Sequence, residues 1–303
     1  MAIDEQQDGL WDHFGLLWSD LMVDGNPSAL LAGGYGLFLK QRWLLARRDA
    51  RIVVPLERWL NATPRVTKDL DLVIGLDLIS DADANRNMHK LLTNQGFQVT
   101  GRPAGKRWQF VKKLGGGRHI VAELHVPSPN KDLKHLRADG IRVKHQPSLG
   151  DAGVHGRENP EAVGCDLAPF RFELDGIAIA VPNSLTWAVM KLTAMRDRWL
   201  TSQDPANDPE LRSFSRAHAI KHGQDVCRVV AMMGRDENVS LSGVIESIRM
   251  TSQFRIAAEI QQEFFNGPDS WARELLGGDW TSEDFQTIQE VLAAWFDDSE
   301  ATS

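Results

Sequence analysis

Cysteine is scarce in this 303-residue chain: Cys165 and Cys227 are the only two, and they stand far apart. They lack the short spacings of a structural zinc site, and they imply no disulfide framework, which suits a reducing cytoplasm. No secretory leader is expected, because Met1-Ala2-Ile3-Asp4-Glu5 is acidic and no apolar run follows it. No apolar stretch approaches the ~20 residues that a bilayer crossing requires, so no membrane partner is expected. The glycines form neither a G-x-G-x-x-G fingerprint nor a G-K-[ST] loop, which sets aside the Rossmann and P-loop modes of nucleotide binding. There is no internal repeat and no low-complexity segment. With 42% hydrophobic and 25% charged residues, what remains is an ordinary globular chain, long enough for two domains.

Charge is present in both signs but unevenly placed. The formal net charge is −7, yet Lys40–Lys144 holds 21 Lys and Arg against 10 Asp and Glu, while the rest holds 13 against 31. Such a basic segment suits a polyanionic partner such as RNA or a nucleotide. It equally suits attraction between two oppositely charged parts of one fold, and charge alone does not separate the two.

Apolar spacing sketches the fold. Residues 10–23 carry hydrophobics three and four apart, the period of an amphipathic helix. Ala29-Leu30-Leu31-Ala32 reads as a short strand, Gly33-Gly34-Tyr35-Gly36 as a turn, and 37–48 as a helix. An irregular connection through 51–64 leads to a strand at 69–74. A helix at 82–94, a strand at 97–100, a basic loop at 101–107 and a hairpin of 108–111 with 120–126 follow. The region 145–169 is loop-like, and Asp175-Gly176 joins a second hairpin, 170–174 with 177–181. From Pro182 onward helical patterns dominate, at about 185–200, 214–233, 240–265, 269–276 and 282–297. The expected class is α+β: a mixed β-sheet flanked by helices in an N-terminal domain, 1–181, then a mostly helical domain, 182–303.

Within that frame one stretch carries chemistry, Arg65-Val66-Thr67-Lys68-Asp69-Leu70-Asp71-Leu72-Val73-Ile74. Alternate residues of a strand share a face, so Asp69 and Asp71 point together while Leu70 and Leu72 point the other way. Two adjacent carboxylates on a half-buried strand repel each other, and a divalent cation removes that cost. A solvated strand end is the simpler alternative. Glu123, set among apolar neighbours in the strand 120–126, is a third acid that wants a partner. At the Gly33-Gly34 turn, missing Cβ atoms let backbone approach a ligand and the following helix start favours anions. Lys191 and Arg198, seven apart, share a helix face, as do Lys221 and Asp225, four apart; either pair also reads as an ordinary wet face.

A glycine turn after a strand, an Asp-x-Asp strand and a later single acid together resemble the nucleotidyltransferase fold of the DNA polymerase β superfamily. More finely, the chain resembles the AbiEii-type nucleotidyltransferases, the toxins of type IV toxin–antitoxin and abortive-infection systems. The matching stretches are Leu31-Ala32-Gly33-Gly34, Arg65 to Leu72, Lys191-Leu192-Thr193-Ala194-Met195-Arg196-Asp197-Arg198 and Lys221-His222-Gly223-Gln224-Asp225-Val226. The resemblance implies Mg²⁺ held by Asp69 and Asp71, with Glu123 as a third ligand from its strand context. It implies Gly33 and Gly34 at the triphosphate of an NTP, Lys191 on a phosphate, and Asp225 as a further catalytic or nucleotide-positioning acid. Lys68, Arg198 and Lys221 are the further cations expected on the nucleotide. An RNA acceptor such as tRNA and a cognate antitoxin are the implied partners. The gap from Gly34 to Asp69 is longer than the pattern, as if residues 49–63 were inserted, and His222 stands where the fourth stretch commonly has Asp. A small-molecule acceptor, or a non-catalytic nucleotide-binding protein on the same scaffold, are the readings left open beside it.

Overall fold

A computed structural model describes residues 9–23, 26–47, 50–63, 67, 69–100, 106–129 and 133–297. The chain divides into two compact units, one comprising 1–43 and 65–182, the other 44–64 and 183–303.

The first unit is built on a mixed sheet. Its central strands are β3 (Ala29–Leu31), β4 (Asp69–Ile74) and β7 (His119–Val126), with β3 antiparallel and β7 parallel to β4. On the far side of β7, β6 (Gln109–Lys113) pairs with its first half and β10 (Gly156–Glu158) with its end. β5 (Gln98–Val99) extends β6, while β9 (Arg142–His145) and β8 (Leu136–Ala138) extend β10, giving eight strands in all. Period-two alternation sets the faces. Leu70, Leu72, Ala122, Leu124, Val126 and Phe110 are fully buried on one side, and Asp69, Asp71 and Glu123 therefore emerge on the other. After the short helix α3 (Leu76–Ser80), helix α4 (Ala82–Asn94) contributes buried Met88 and Leu92. It starts on Asp81, whose carboxylate accepts from the Asp83 and Ala84 N–H groups, a standard N-cap.

Sequence periodicity is modified in four places. The expected 10–23 helix stops at Asp20 (α1, Trp11–Asp20), and Met22–Val23 (β1) pairs with Asn26–Pro27 (β2). The glycines of 33–36 do not precede the next helix but begin it, as α2 (Gly33–Leu45). Loop-like 145–169 contains β10, which three residues suffice to form because β7 and β9 both hydrogen-bond it. Arg107 of the expected basic loop turns inward, 7% exposed, onto Asp151 and the Gly150 carbonyl; residues 101–105 lie outside the described residues. The hairpin 170–174 with 177–181 forms as expected (β11, β12).

The second unit is helical: α5 (Ser184–Gln203), α6 (Pro209–Ala231), α7 (Arg235–Ile248), α8 (Ser252–Phe265), α9 (Trp271–Leu276) and α10 (Ser282–Trp295). Where the pattern suggested one helix over 240–265, Thr251 ends α7 and N-caps α8 through Phe254 N–H. Segment 44–64 is tied into this unit by backbone. Val53 and Val54 donate to the carbonyls of Met233 and Ala231, Trp59 packs edge-on to Trp280, and Arg58 pairs with Asp284 at 2.8 Å. Among the described residues no helix is long and apolar enough to cross a membrane.

Candidate metal centre

The parallel register of β4 and β7 pairs Asp71 with Glu123 and Val73 with His125. Because Glu123 and His125 are two apart on one strand, both side chains lie on Asp71's face. One ligand atom from each of Asp71, Glu123 and His125 lies within 4.8 Å of the other two. The imidazole Nε2 stands 3.5 Å from Asp71 Oδ1 and 3.6 Å from Glu123 Oε2. The side chains are partly covered, at 29%, 18% and 11% exposure for Asp71, Glu123 and His125. Arg157, at the β10 register position opposite His125, donates to Glu123 Oε1 at 3.2 Å and leaves Oε2 turned to the cluster.

Gly33 borders the site. Its φ of +65° is a left-handed conformation that favours glycine. A Cβ built there would fall 1.8 Å from Asp71 Oδ2. Two independent requirements, dihedral and contact, thus exclude a side chain at this position. The strand pairing continues to the helix, since Ala32 N–H donates to the Asp71 carbonyl at 2.8 Å. The first turn of α2 therefore begins directly over a carboxylate, the end of a helix where negative charge is favoured. Two carboxylates, one imidazole and bare backbone beside them form a donor set that fits a divalent cation.

The residues expected from sequence distribute as follows. Asp71, Glu123 and Gly33 meet in the cluster, and Gly34 follows in the first turn of α2. Asp69 shares the face but sits one strand step away, exposed and opposite Val121, and it is not one of the three grouped residues. Lys68 and Arg65 lie outside the described residues.

Lys191 and Asp225 come together in the second unit. The ammonium is 2.8 Å from Asp225 Oδ2, with Lys191 9% and Asp225 1% exposed. Lys191 reaches across from α5 to α6, so this ion pair is interhelical. Arg198, seven residues beyond Lys191, is exposed, and Lys221 is half-buried. Sequence reasoning passed over His125, although its two-residue offset from Glu123 on an alternating strand was a readable signal.

No protein-family model, no curated protein and no solved structure matches the chain.

Proposed function

We propose that the chain is a divalent-cation-dependent nucleotidyltransferase, moving an NMP from an NTP to an acceptor. The observation that carries this reading is Gly33: backbone with no room for a Cβ lies directly on a carboxylate that faces Glu123 and His125. A glycine-started helix beside an acidic cluster is what a site needs when it must receive phosphate oxygens and a cation together.

In this reading Asp71 and Glu123 hold the cation, Mg²⁺ being the ion that hard oxygen ligands favour. A bound divalent cation supplies charge neutralisation on the triphosphate and acidifies the attacking hydroxyl. Gly33 and Gly34 keep the phosphate path free of side chains, and the α2 N-terminus orients donors toward the anion. Asp69, on the same face and nearer solvent, adds the second carboxylate of the strand. The acceptor hydroxyl gives its proton to solvent as its oxygen bonds to the α-phosphorus, the α–β bridge breaks, and pyrophosphate leaves. Arg157 donates to Glu123 from the side away from Asp71.

The roles of Lys68, Lys191, Arg198, Lys221 and Asp225 rest on the resemblance to AbiEii-type toxins. So do a type IV toxin–antitoxin setting with a cognate antitoxin and action in the cytoplasm. An RNA acceptor such as tRNA is further supported by the basic balance of Lys40–Lys144. The test incubates the protein with each labelled NTP, Mg²⁺ and total RNA, with small hydroxylated acceptors in parallel. Label is expected on RNA, and Asp69→Ala with Asp71→Ala should abolish it. Undiminished incorporation by the double variant would overturn the assignment. In cells, overexpression should arrest growth and the same pair of changes should relieve the arrest.

A further inference from the structure

We propose that His125 is a nitrogen ligand in this centre and turns it from a Mg²⁺ site into one that prefers a first-row transition cation. This rests on the metal reading above and adds the identity of the third donor and of the ion class.

The argument starts from where the imidazole stops. An imidazole serving as an ion-pair partner closes to about 2.8 Å on one carboxylate. Nε2 instead stands nearly equidistant from Asp71 Oδ1 and Glu123 Oε2, at 3.5 and 3.6 Å, too far for a good hydrogen bond to either. Donors bound to one small cation at about 2.1 Å lie about 3.0–3.4 Å apart, so Nε2 needs to close by only a few tenths of an ångström on each acid to share a cation with them.

Burial supports the same conclusion. His125 is 9% exposed, and its Nδ1 is buried with no hydrogen-bond partner among the described residues. A ring held this deep, with Nε2 aimed between two acids and in good hydrogen-bonding contact with neither, is costly unless that nitrogen binds something. Glu123 does not need the imidazole for neutralisation, because Arg157 already meets its other oxygen.

Chemistry then selects the ion. Mg²⁺ takes oxygen donors and water, whereas imidazole favours the later first-row metals, with Mn²⁺ accepting carboxylate and imidazole together. Two carboxylates and one imidazole on adjacent strands, with no side chain at Gly33, leave positions for phosphate oxygens of a substrate.

Mn²⁺ is the probe, because electron spin echo modulation from a directly bound ¹⁴N reports ligation without any turnover. Wild-type protein loaded with Mn²⁺ should show that modulation, and His125→Gln should bind Mn²⁺ without it. Loss of one orienting or ligating group of this kind weakens a site by about 10–100-fold, so calorimetry should show Mn²⁺ affinity in His125→Gln falling by about 10-fold or more. Mg²⁺ affinity should change less than threefold, roughly the scale of a ligand the ion does not favour. His125→Asn, shorter by one methylene, is the second variant should the Gln protein misfold. Mn²⁺ bound by wild type with no nitrogen modulation, or modulation surviving both substitutions, overturns the His125 assignment and leaves the metal site standing. Wild type that binds neither Mn²⁺ nor Mg²⁺, or binding untouched by Asp71→Asn, overturns the metal reading itself.

Discussion

The two units handle buried charge in opposite ways. In the helical unit, Lys191 and Asp225 are almost wholly covered and pair at 2.8 Å across two helices. In the sheet unit, Asp71, Glu123 and His125 gather two acids and an imidazole within 4.8 Å, with Arg157 touching only one edge. The first arrangement is a close pair of opposite charges. The second sets an imidazole between two acids without a close hydrogen bond to either, a donor set that fits a divalent cation. The difference teaches that a conspicuous Lys or Asp in sequence is not by itself a site; its neighbours decide whether its charge is already answered.

The comparison can be broken most severely at Asp225. Asp225→Ala strands a buried ammonium and should cost about 3–5 kcal/mol in denaturant unfolding. The nearby Cys227 reports the damage separately, because burial holds its thiol pKa far above the ordinary value and suppresses labelling. In Asp225→Ala, Cys227 should react faster with a thiol reagent. Converting both partners, Lys191→Met with Asp225→Leu, should recover most of the loss; a double variant as unstable as the single one would contradict self-neutralisation.

A smaller loss is expected at Gly33. Placing alanine at φ +65° costs on the order of 1–3 kcal/mol, before any contact with the carboxylate. Adding Asp71→Ala removes the atom 1.8 Å from the new Cβ, so part of the destabilisation should return while metal binding does not. Strictly additive losses in that pair would mean that Gly33 and Asp71 do not meet.

Metal addition offers the converse measurement. At a concentration 100-fold above Kd, Mn²⁺ should stabilise wild type by about 2.7 kcal/mol and raise its Tm, with reversal by chelator. Asp71→Asn should show no such rise. Its own stability should stay within about 1 kcal/mol of wild type, because the substitution removes charge crowding and leaves the apolar face of β4 intact. Cys165, buried with its thiol pushed up to about 12, should label at the wild-type rate in this variant.

The mildest change is Arg157→Ala. The guanidinium is 53% exposed, so its pair with Glu123 contributes at most about 1 kcal/mol. Removing this competing cation should tighten Mn²⁺ binding slightly, and weaker binding would show that Arg157 is needed to orient Glu123.

Much of the site was legible because strands translate sequence directly into faces. Asp69, Asp71 and Glu123 could be placed on a polar side from alternation with Leu70, Leu72, Ala122 and Leu124. Gly33 stood out because only glycine relieves a strand-to-helix junction of this kind. What alternation does not contain is register. That Asp71 faces Glu123, with His125 one step further, depends on how β4 aligns with β7 across a long intervening segment. The same limit hid β10, whose three residues form a strand only because two neighbours hydrogen-bond it. Helix periodicity put Lys191 and Arg198 on one face, yet packing buries the first and exposes the second.

Sequence alone thus determined the α+β class, the apolar and polar faces of each strand, the succession of late helices and the acids worth pairing. These follow from local rules: period-two and 3.6-residue spacing, and the cost of burying charge. Tertiary structure alone decided that residues 44–64 join the helical unit and that Asp225 answers Lys191. It also decided that an imidazole completes the acidic pair. Each of those depends on contacts between residues distant in the chain, where burial and register, rather than local spacing, set the energy.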